Sequence, residues 1–173
     1  MDFIPFPFLK TQRLEFNQLE EKDIDSFFEL RSNPKTNEFI QREIPRKVND
    51  LLPYIEKIRN GILNNDHIYW VIKKEEQLIG TICLWNFSDD KLTAEIGYEL
   101  HPDFHKKGFM SEAIQKIVHF GFSKLNLKAI EAFTHKNNEG SIALLNKNNF
   151  VYQPKRRDIG FENNRIFRID NNQ

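Results

Sequence analysis

The chain has 173 residues, and its 25 Lys and Arg are balanced by 25 Asp and Glu, so the formal net charge is zero. That length supports one domain, 1–173, with a real core, and the neutral balance excludes bulk attraction to nucleic acid or to an anionic membrane. A single cysteine, Cys83, cannot staple the fold and points to a reducing, cytoplasmic compartment. No apolar run approaches the roughly 20 residues of a membrane helix. The opening MDFIPFPFLKTQ, broken by Pro5 and Pro7, lacks the charged leader of a targeting signal.

Residues 13–19, RLEFNQL, alternate and suit a first strand. In EEKDIDSFFELRSNP, Ile24, Phe27, Phe28 and Arg31 fall at helical spacing, and Asn33-Pro34 stops the helix. A second helix follows Pro45, with Val48, Leu51, Leu52, Ile55, Ile58 and Ile62 on one face, Pro53 in its first turns and Gly61 near its end. The period then changes. HIYWVIKK, QLIGTICLWNF and KLTAEIGYEL are β-branched and aromatic, separated by KEEQ and SDDK, and predict three strands in a meander. Met110, Ala113, Ile114, Ile117, Val118 and Phe122 line the next helix. The strand KAIEAFTH follows, then a short helix in EGSIALLNKNNF that stops at Asn149, a residue type tolerant of the left-handed conformation. FVYQPKRR, confined to a sheet edge or cut short by Pro154, and NRIFRID close the set, and NNQ reads as a frayed tail. The order β-α-α-β-β-β-α-β-α-β-β is an α+β architecture, a mostly antiparallel twisted sheet flanked by helices, in which a helix between two strands marks one parallel crossover.

HPDFHKKGFMSEA places Lys106, Lys107 and Gly108 where a helix begins. A helix start has four unpartnered N–H groups and the positive end of the dipole, and Gly108 lets an anion approach the backbone. These residues suit a cradle for a pyrophosphate; they equally suit a solvated loop with a helix-starting glycine. Neither the Walker phosphate-loop pattern nor the GxGxxG dinucleotide fingerprint is present. In the preceding strand, Thr93, Glu95, Gly97 and Glu99 share one face, so a carboxylate and a bare backbone position lie just upstream of the helix start. Downstream, Asn137 and Ser141 stand at the entry to another helix, where loop and first-turn chemistry account for them equally well. Five histidines are present; His101 and His105 are four apart but Pro102 intervenes, and with neither Cys pairs nor HExxH no metal is expected. Lys155, Arg156 and Arg157 read as a solvated run dressing an edge strand. Trp70 and Trp85 read as core or pocket wall, and Cys83 as packing.

Together these stretches resemble the GNAT superfamily of N-acetyltransferases, and within it the RimJ/RimL-type members, over nearly the whole chain. FLKTQRLEFNQL is similar to the family's opening strand, LIGTICLWNFSDDKLTAEIGYELHPDFHKKGFMSEAIQKIVHFGF to its central block, and HKNNEGSIALLNKNNF to its Asn-x-x-x-Ser helix. The family's acetyl-CoA loop has Arg or Gln, two residues, Gly, one residue, then Gly or Ala. Here His105-Lys106-Lys107-Gly108-Phe109-Met110 stands in its place, with His105 and Met110 departing from the pattern. Where many members carry a tyrosine after the serine, this chain has Leu144 and Leu145.

The resemblance implies the acyl-CoA N-acyltransferase fold, acetyl-CoA as donor, a primary amine as acceptor, and a homodimer as a plausible assembly. It implies that pantetheine lies between the strand ending at Leu100 and the strand ending at His135. On the residues that match the motif, it implies cofactor contacts from Leu100, His105, Lys106, Lys107, Gly108, Phe109, Met110, Ser111, Asn137, Ser141 and Lys147. Glu95 is the candidate base, acting through a water or as the acceptor that orients the amine, or else sits on a wet sheet face; Ser141 is the candidate proton donor to the thiolate, or else binds pantetheine. Trp85 and Phe39 are the candidate acceptor contacts, in a cleft walled by residues 33–46. A protein N-terminus, with a pKa of about 7.7–8.0, needs only a weak base, so a protein or peptide α-amine is the expected acceptor. A small amine (polyamine, amino sugar or antibiotic) is the alternative, and a coenzyme-A-binding module without turnover is a rival of another class.

Overall fold

In the computed structural model of the chain, residues 1–171 are described. Eight strands form one sheet in the order β1-β2-β3-β4-β5-β6-β8-β7. They are β1 (Leu9–Lys10), β2 (Glu15–Asn17), β3 (Ile68–Lys74), β4 (Gln77–Trp85), β5 (Thr93–Leu100), β6 (Ala129–His135), β7 (Val151–Tyr152) and β8 (Asn164–Asp170). The helices are α1 (Ile24–Ser32), α2 (Leu52–Leu63), α3 (Phe109–Ser123) and α4 (Glu139–Lys147). The element order follows the sequence reading, with β1 as an extra short strand ahead of the expected first one, which itself shortens to Glu15–Asn17. No helix among the described residues is long and apolar enough to cross a membrane.

The chain divides into two compact units, one of Met1–Cys83 with Tyr98–Phe109, the other of Leu84–Gly97 with the chain from Met110 onward. In the first unit, β2 pairs antiparallel with β1 and with β3. β3 is buried along nearly its whole length, which explains its unbroken apolar run. Phe3, Phe16, Phe27, Leu30, Ile55, Ile58, Ile62, Trp70 and Ile72 build the core. Leu52, expected on the buried face of α2, is exposed, because the turn before it is a 3-10 helix and the face is taken up again at Ile55. Glu75 and Glu76 join β3 to β4 with φ of 49° and 68°, the two left-handed residues of a type I′ hairpin turn. Gly61 lies inside α2, where a Cβ would fall 1.8 Å from the His67 ring.

In the second unit, β5 leads through α3 to β6, which pairs parallel with it in the register Thr93–Ala129, Ala94–Ile130, Glu95–Glu131. α3 covers this crossover with Met110, Ala113, Ile114, Ile117 and Phe120; Phe120 is buried while the expected Phe122 is only half-buried. β6 pairs antiparallel with β8 along all seven of its residues, from Ala129–Asp170 to His135–Asn164. β7 is the short edge strand that Pro154 requires. Asn149 stops the chain after α4 with φ of 65°. Asn171, expected to fray, is tied to the fold by its amide N–H donating to Lys128 O at 2.8 Å; the rest of that tail lies outside the described residues.

The first unit also buries an ion pair. Lys73 Nζ lies 2.7 Å from Asp23 Oδ1, with side chains 1% and 5% exposed, and the other Asp23 oxygen accepts from the Glu20 amide at 3.1 Å. Removing one member of such a pair leaves an uncompensated buried charge. Lys73→Met is therefore expected to cost about 3–5 kcal/mol, and Lys73→Met with Asp23→Leu to recover most of the loss, as read from urea unfolding midpoints. A midpoint untouched by the single substitution contradicts this role.

Candidate functional site

Parallel pairing puts Glu95 and Glu131 at adjacent register positions on one face, about 4.8 Å apart along the hydrogen-bonding direction. In the second unit this face forms the floor of a cavity of about 600 Å³, lined by Glu95, Glu131, Phe133, Arg156, Arg168 and the 86–89 turn. Glu95 is half-buried and accepts a 2.5 Å hydrogen bond from Asn86 Nδ2. Burial raises its pKa above the ordinary carboxylate value; the Asn86 bond opposes this, and the charges of Asp158 and Glu131 add to the rise.

Glu131 shifts the other way. Burial works to raise its pKa too, but hydrogen bonds from Arg156 and Arg168 outweigh it and hold the group below its usual value. Arg156 binds both carboxylate oxygens, Nη1 to Oε1 and Nη2 to Oε2, the latter at 2.9 Å. Arg168, the cross-strand partner of Glu131, donates from Nη1 to Oε1 at 2.9 Å. Lys155, Arg156 and Arg157 are all exposed, as a solvated run would be, but the turn after β7 also aims the Arg156 side chain back onto β6. Of two neighbouring carboxylates, one is neutralised by arginines and the other faces the cavity with a raised proton affinity, the property required of a group that takes a proton from an amine near neutral pH.

The loop between β5 and α3 has its own local logic. Lys106 and Gly108 adopt positive φ, 58° and 80°. The His105 Nε2–H donates to Leu100 O at 2.9 Å, so the His105 ring and the Leu100 carbonyl, both expected to face cofactor, bond each other. Lys107 folds back, Nζ donating to Asp103 O at 2.8 Å, while Lys106 is exposed. A cation that the sequence reading missed stands here. Arg13 donates from Nη1 to Lys107 O at 3.0 Å, and its guanidinium lies 4.5 Å from the Phe109 ring centroid. It comes from 94 residues away, so no local pattern announces it. Phe109 and Met110 are both buried; the methionine that replaces a small residue of the family pattern packs inward.

The remaining expected contacts lie on other elements. Ser111 Oγ and Gln115 Nε2 both donate to Asn148 Oδ1, at 3.0 and 3.1 Å, which ties the start of α3 to the end of α4. Asn138, not Asn137, caps α4, accepting from the Ser141 amide at 3.0 Å. Asn137 is thereby left exposed, and Ser141 is part-buried in the first turn. Lys147 is exposed in the last turn of α4. Trp85 ends β4 and is 47% exposed, too open for a core residue. In the first unit, Phe39 is half-buried in the 33–46 segment, which Asn37 anchors by donating to Arg31 O and Asn33 O, each at 2.8 Å.

That segment belongs to a second charged group missed from the sequence. Buried Glu99 lies 3.2 Å from Arg31 Nη1 and 2.7 Å from Arg42 Nη2, and Thr81 Oγ1 donates to it at 3.3 Å. The Arg31 guanidinium also stacks 3.9 Å from the Tyr54 ring centroid. The one signal was Arg31 itself, a charge on the apolar face of α1.

A family model described as "Acetyltransferase (GNAT) domain" matches residues 13–151. The chain is 32% identical over 160 residues to an uncharacterized N-acetyltransferase of Bacillus subtilis, YoaA, covering 91% of this chain and 90% of that one. Among solved structures, the RimL ribosomal L7/L12 alpha-N-protein acetyltransferase superposes with a TM-score of 0.82 at 13% identity, covering 95% and 94% of the two chains. The microcin C7 self immunity acetyltransferase MccE, in complex with acetyl-CoA and AMP, gives 0.79 at 19% identity, covering 93% and 94%. At these identities the two structural likenesses are of fold.

Proposed function

The chain belongs to the GNAT acetyltransferase family, and from that premise we propose that it transfers acetyl from acetyl-CoA to the α-amine of a protein or peptide, with Glu95 receiving the amine proton. The observation that carries the assignment of Glu95 is its half-buried carboxyl on the wall of the cavity, beside a carboxylate already neutralised by two arginines. The amine nitrogen attacks the thioester carbonyl, its proton passes to Glu95 directly or through a water, and the thiolate leaves. A thiol with a pKa of about 8.5 needs only a modest proton donor, a part assigned to Ser141. The α-amine is favoured over lysine because a base of this strength suffices for an amine whose own pKa lies near 8. RimL, whose name gives an α-N-protein acceptor, supports the same class by its fold.

The diphosphate of the coenzyme is assigned to the amides of residues 106–110 at the start of α3, with the Arg13 charge beside them. Asn137 and Lys147 are assigned to the pantetheine and a phosphate, and Trp85 and Phe39 to the acceptor. The whole chain is taken as one catalytic domain, and its setting as cytoplasmic.

Two measurements test this. In a thiol-release assay, peptides with an unblocked N-terminus should turn over while polyamines and aminoglycosides should not, and Glu95→Gln should lower kcat about a hundredfold at neutral pH with little change in the KM for acetyl-CoA. Thermal stabilisation by coenzyme A with no turnover on any amine would overturn the enzymatic reading in favour of a binding module. Gly108→Val puts a β-branched side chain at a left-handed position and beside Arg13 Nη2, 3.4 Å from the added Cβ. Calorimetric titration should then show coenzyme A binding about tenfold more weakly, a change of about 1.4 kcal/mol; unchanged affinity would remove the loop from the site.

A further inference from the structure

Glu95, Glu131 and Arg168 are successive members of one row across β5, β6 and β8. Arg156 enters this row from outside the sheet. β7 ends at Tyr152, Pro154 prevents its continuation, and the turn closed by Arg156 N–H donating to Gln153 O at 3.1 Å carries the arginine back over β6. There it grips both oxygens of Glu131. Arg168 divides its guanidinium between Glu131 and Asp170, with Nε donating to Asp170 Oδ1 at 2.8 Å. Arg156 is thus the cation committed wholly to Glu131 among the contacts of this row, and it also lines the cavity that Glu95 faces.

The charged and polar groups around Glu95 come from the elements that line its cavity and from the connection beside it. The 86–89 turn supplies Asn86 and Asp89, β6 supplies Glu131, β8 supplies Arg168, and the 153–163 connection supplies Arg156 and Asp158. Carboxylates outnumber arginines in this set. Were Glu131 left uncompensated, two like charges would stand at adjacent register positions, and the more weakly held one would take up a proton. Glu95, with one neutral hydrogen-bond donor, is that group.

With Glu95 as proton acceptor taken from the function proposed above, we infer that Arg156 and Glu131 are its positioning residues: the Arg156 clamp compensates the neighbouring carboxylate and so keeps Glu95 ionised and able to take the amine proton at neutral pH. The direction of each electrostatic contribution agrees, Glu131 raising the proton affinity of Glu95 and Arg156 lowering it. Neither residue needs to touch the reacting atoms.

The sign of each substitution follows. A base acts when deprotonated, so its activity rises with pH through its own pKa. Arg156→Ala should move the acid limb of the kcat/KM profile to higher pH by about one unit. Glu131→Gln leaves two arginines without their shared anion and should move it to lower pH. The double variant loses one charge of each sign, and its midpoint should return towards that of the wild type. Arg156→Lys, which keeps the charge and loses the bidentate grip, should lie close to the wild type.

The limb concerned is identified as the one that Glu95→Gln removes. The acceptor amine contributes equally to every variant and drops out of the differences. A purely structural role for Arg156 predicts another pattern: loss of amplitude at constant midpoint, with the double variant at least as impaired as Arg156→Ala. If Glu95→Gln removes the limb while Arg156→Ala and Glu131→Gln both keep the wild-type midpoint, the inference is overturned and Glu95 stands as the base. If the limb survives Glu95→Gln, the base assignment falls and the inference with it. Should Arg156→Ala fail to fold, the Glu131→Gln shift to lower pH decides alone.

Discussion

Glu95 and Glu131 stand side by side because β5 and β6 run parallel and in one particular register. Parallel pairing needs a crossover connection, and α3 supplies it, its apolar face packing onto the strands it joins. A slip of one residue would turn each side chain to the opposite face and separate the two carboxylates. The same register, continued through the β6–β8 ladder, sets Arg168 beside Glu131. Both the cavity and its charge arrangement depend on these pairings.

Side-chain identity then divides the two acids. Both are drawn out of water, which by itself raises the proton affinity of either. Two arginines reverse the effect at Glu131, whereas a single amide only moderates it at Glu95. Acid–base roles in catalytic sites commonly arise from such pairs, chemically alike and environmentally pushed apart. In the first unit, Glu99 meets Arg31 and Arg42 in a comparable buried group. There the contacts hold the 33–46 segment through Asn37 and Arg42, whose Nε donates to Asn37 Oδ1 at 2.5 Å.

What was legible in the sequence was local. The hydrophobic period of α3, the left-handed stop at Asn149, the truncation of β7 by Pro154 and the parallel crossover all follow from spacing and residue type within a dozen positions. The helix start at Gly108 and the strand face that carries Glu95 were legible as well, and resemblance to a family is what named them candidates for cofactor and base. The long-range polar contacts were not legible: Arg13 reaching the Lys107 carbonyl, Arg31 meeting Glu99 across 68 residues, Arg156 meeting Glu131 across 25. Charged residues carry no periodic signature of their partners, so a run such as Lys155-Arg156-Arg157 reads as solvated until the fold places one member over a carboxylate. Leu52 and Phe122 failed for a related reason, since a helical face read from spacing does not fix which members the neighbouring element covers.

Adjacent carboxylates on one sheet face have proton affinities shifted in opposite directions, and the cavity-facing one is the proposed base. The most direct test of this is a carboxyl-carbon NMR titration of the ligand-free protein, with the two signals assigned by Glu95→Gln and Glu131→Gln. Glu95 should titrate above the ordinary glutamate value of about 4.3 and Glu131 below it. Glu95 titrating at or below that value, with Glu131 above it, would contradict the account.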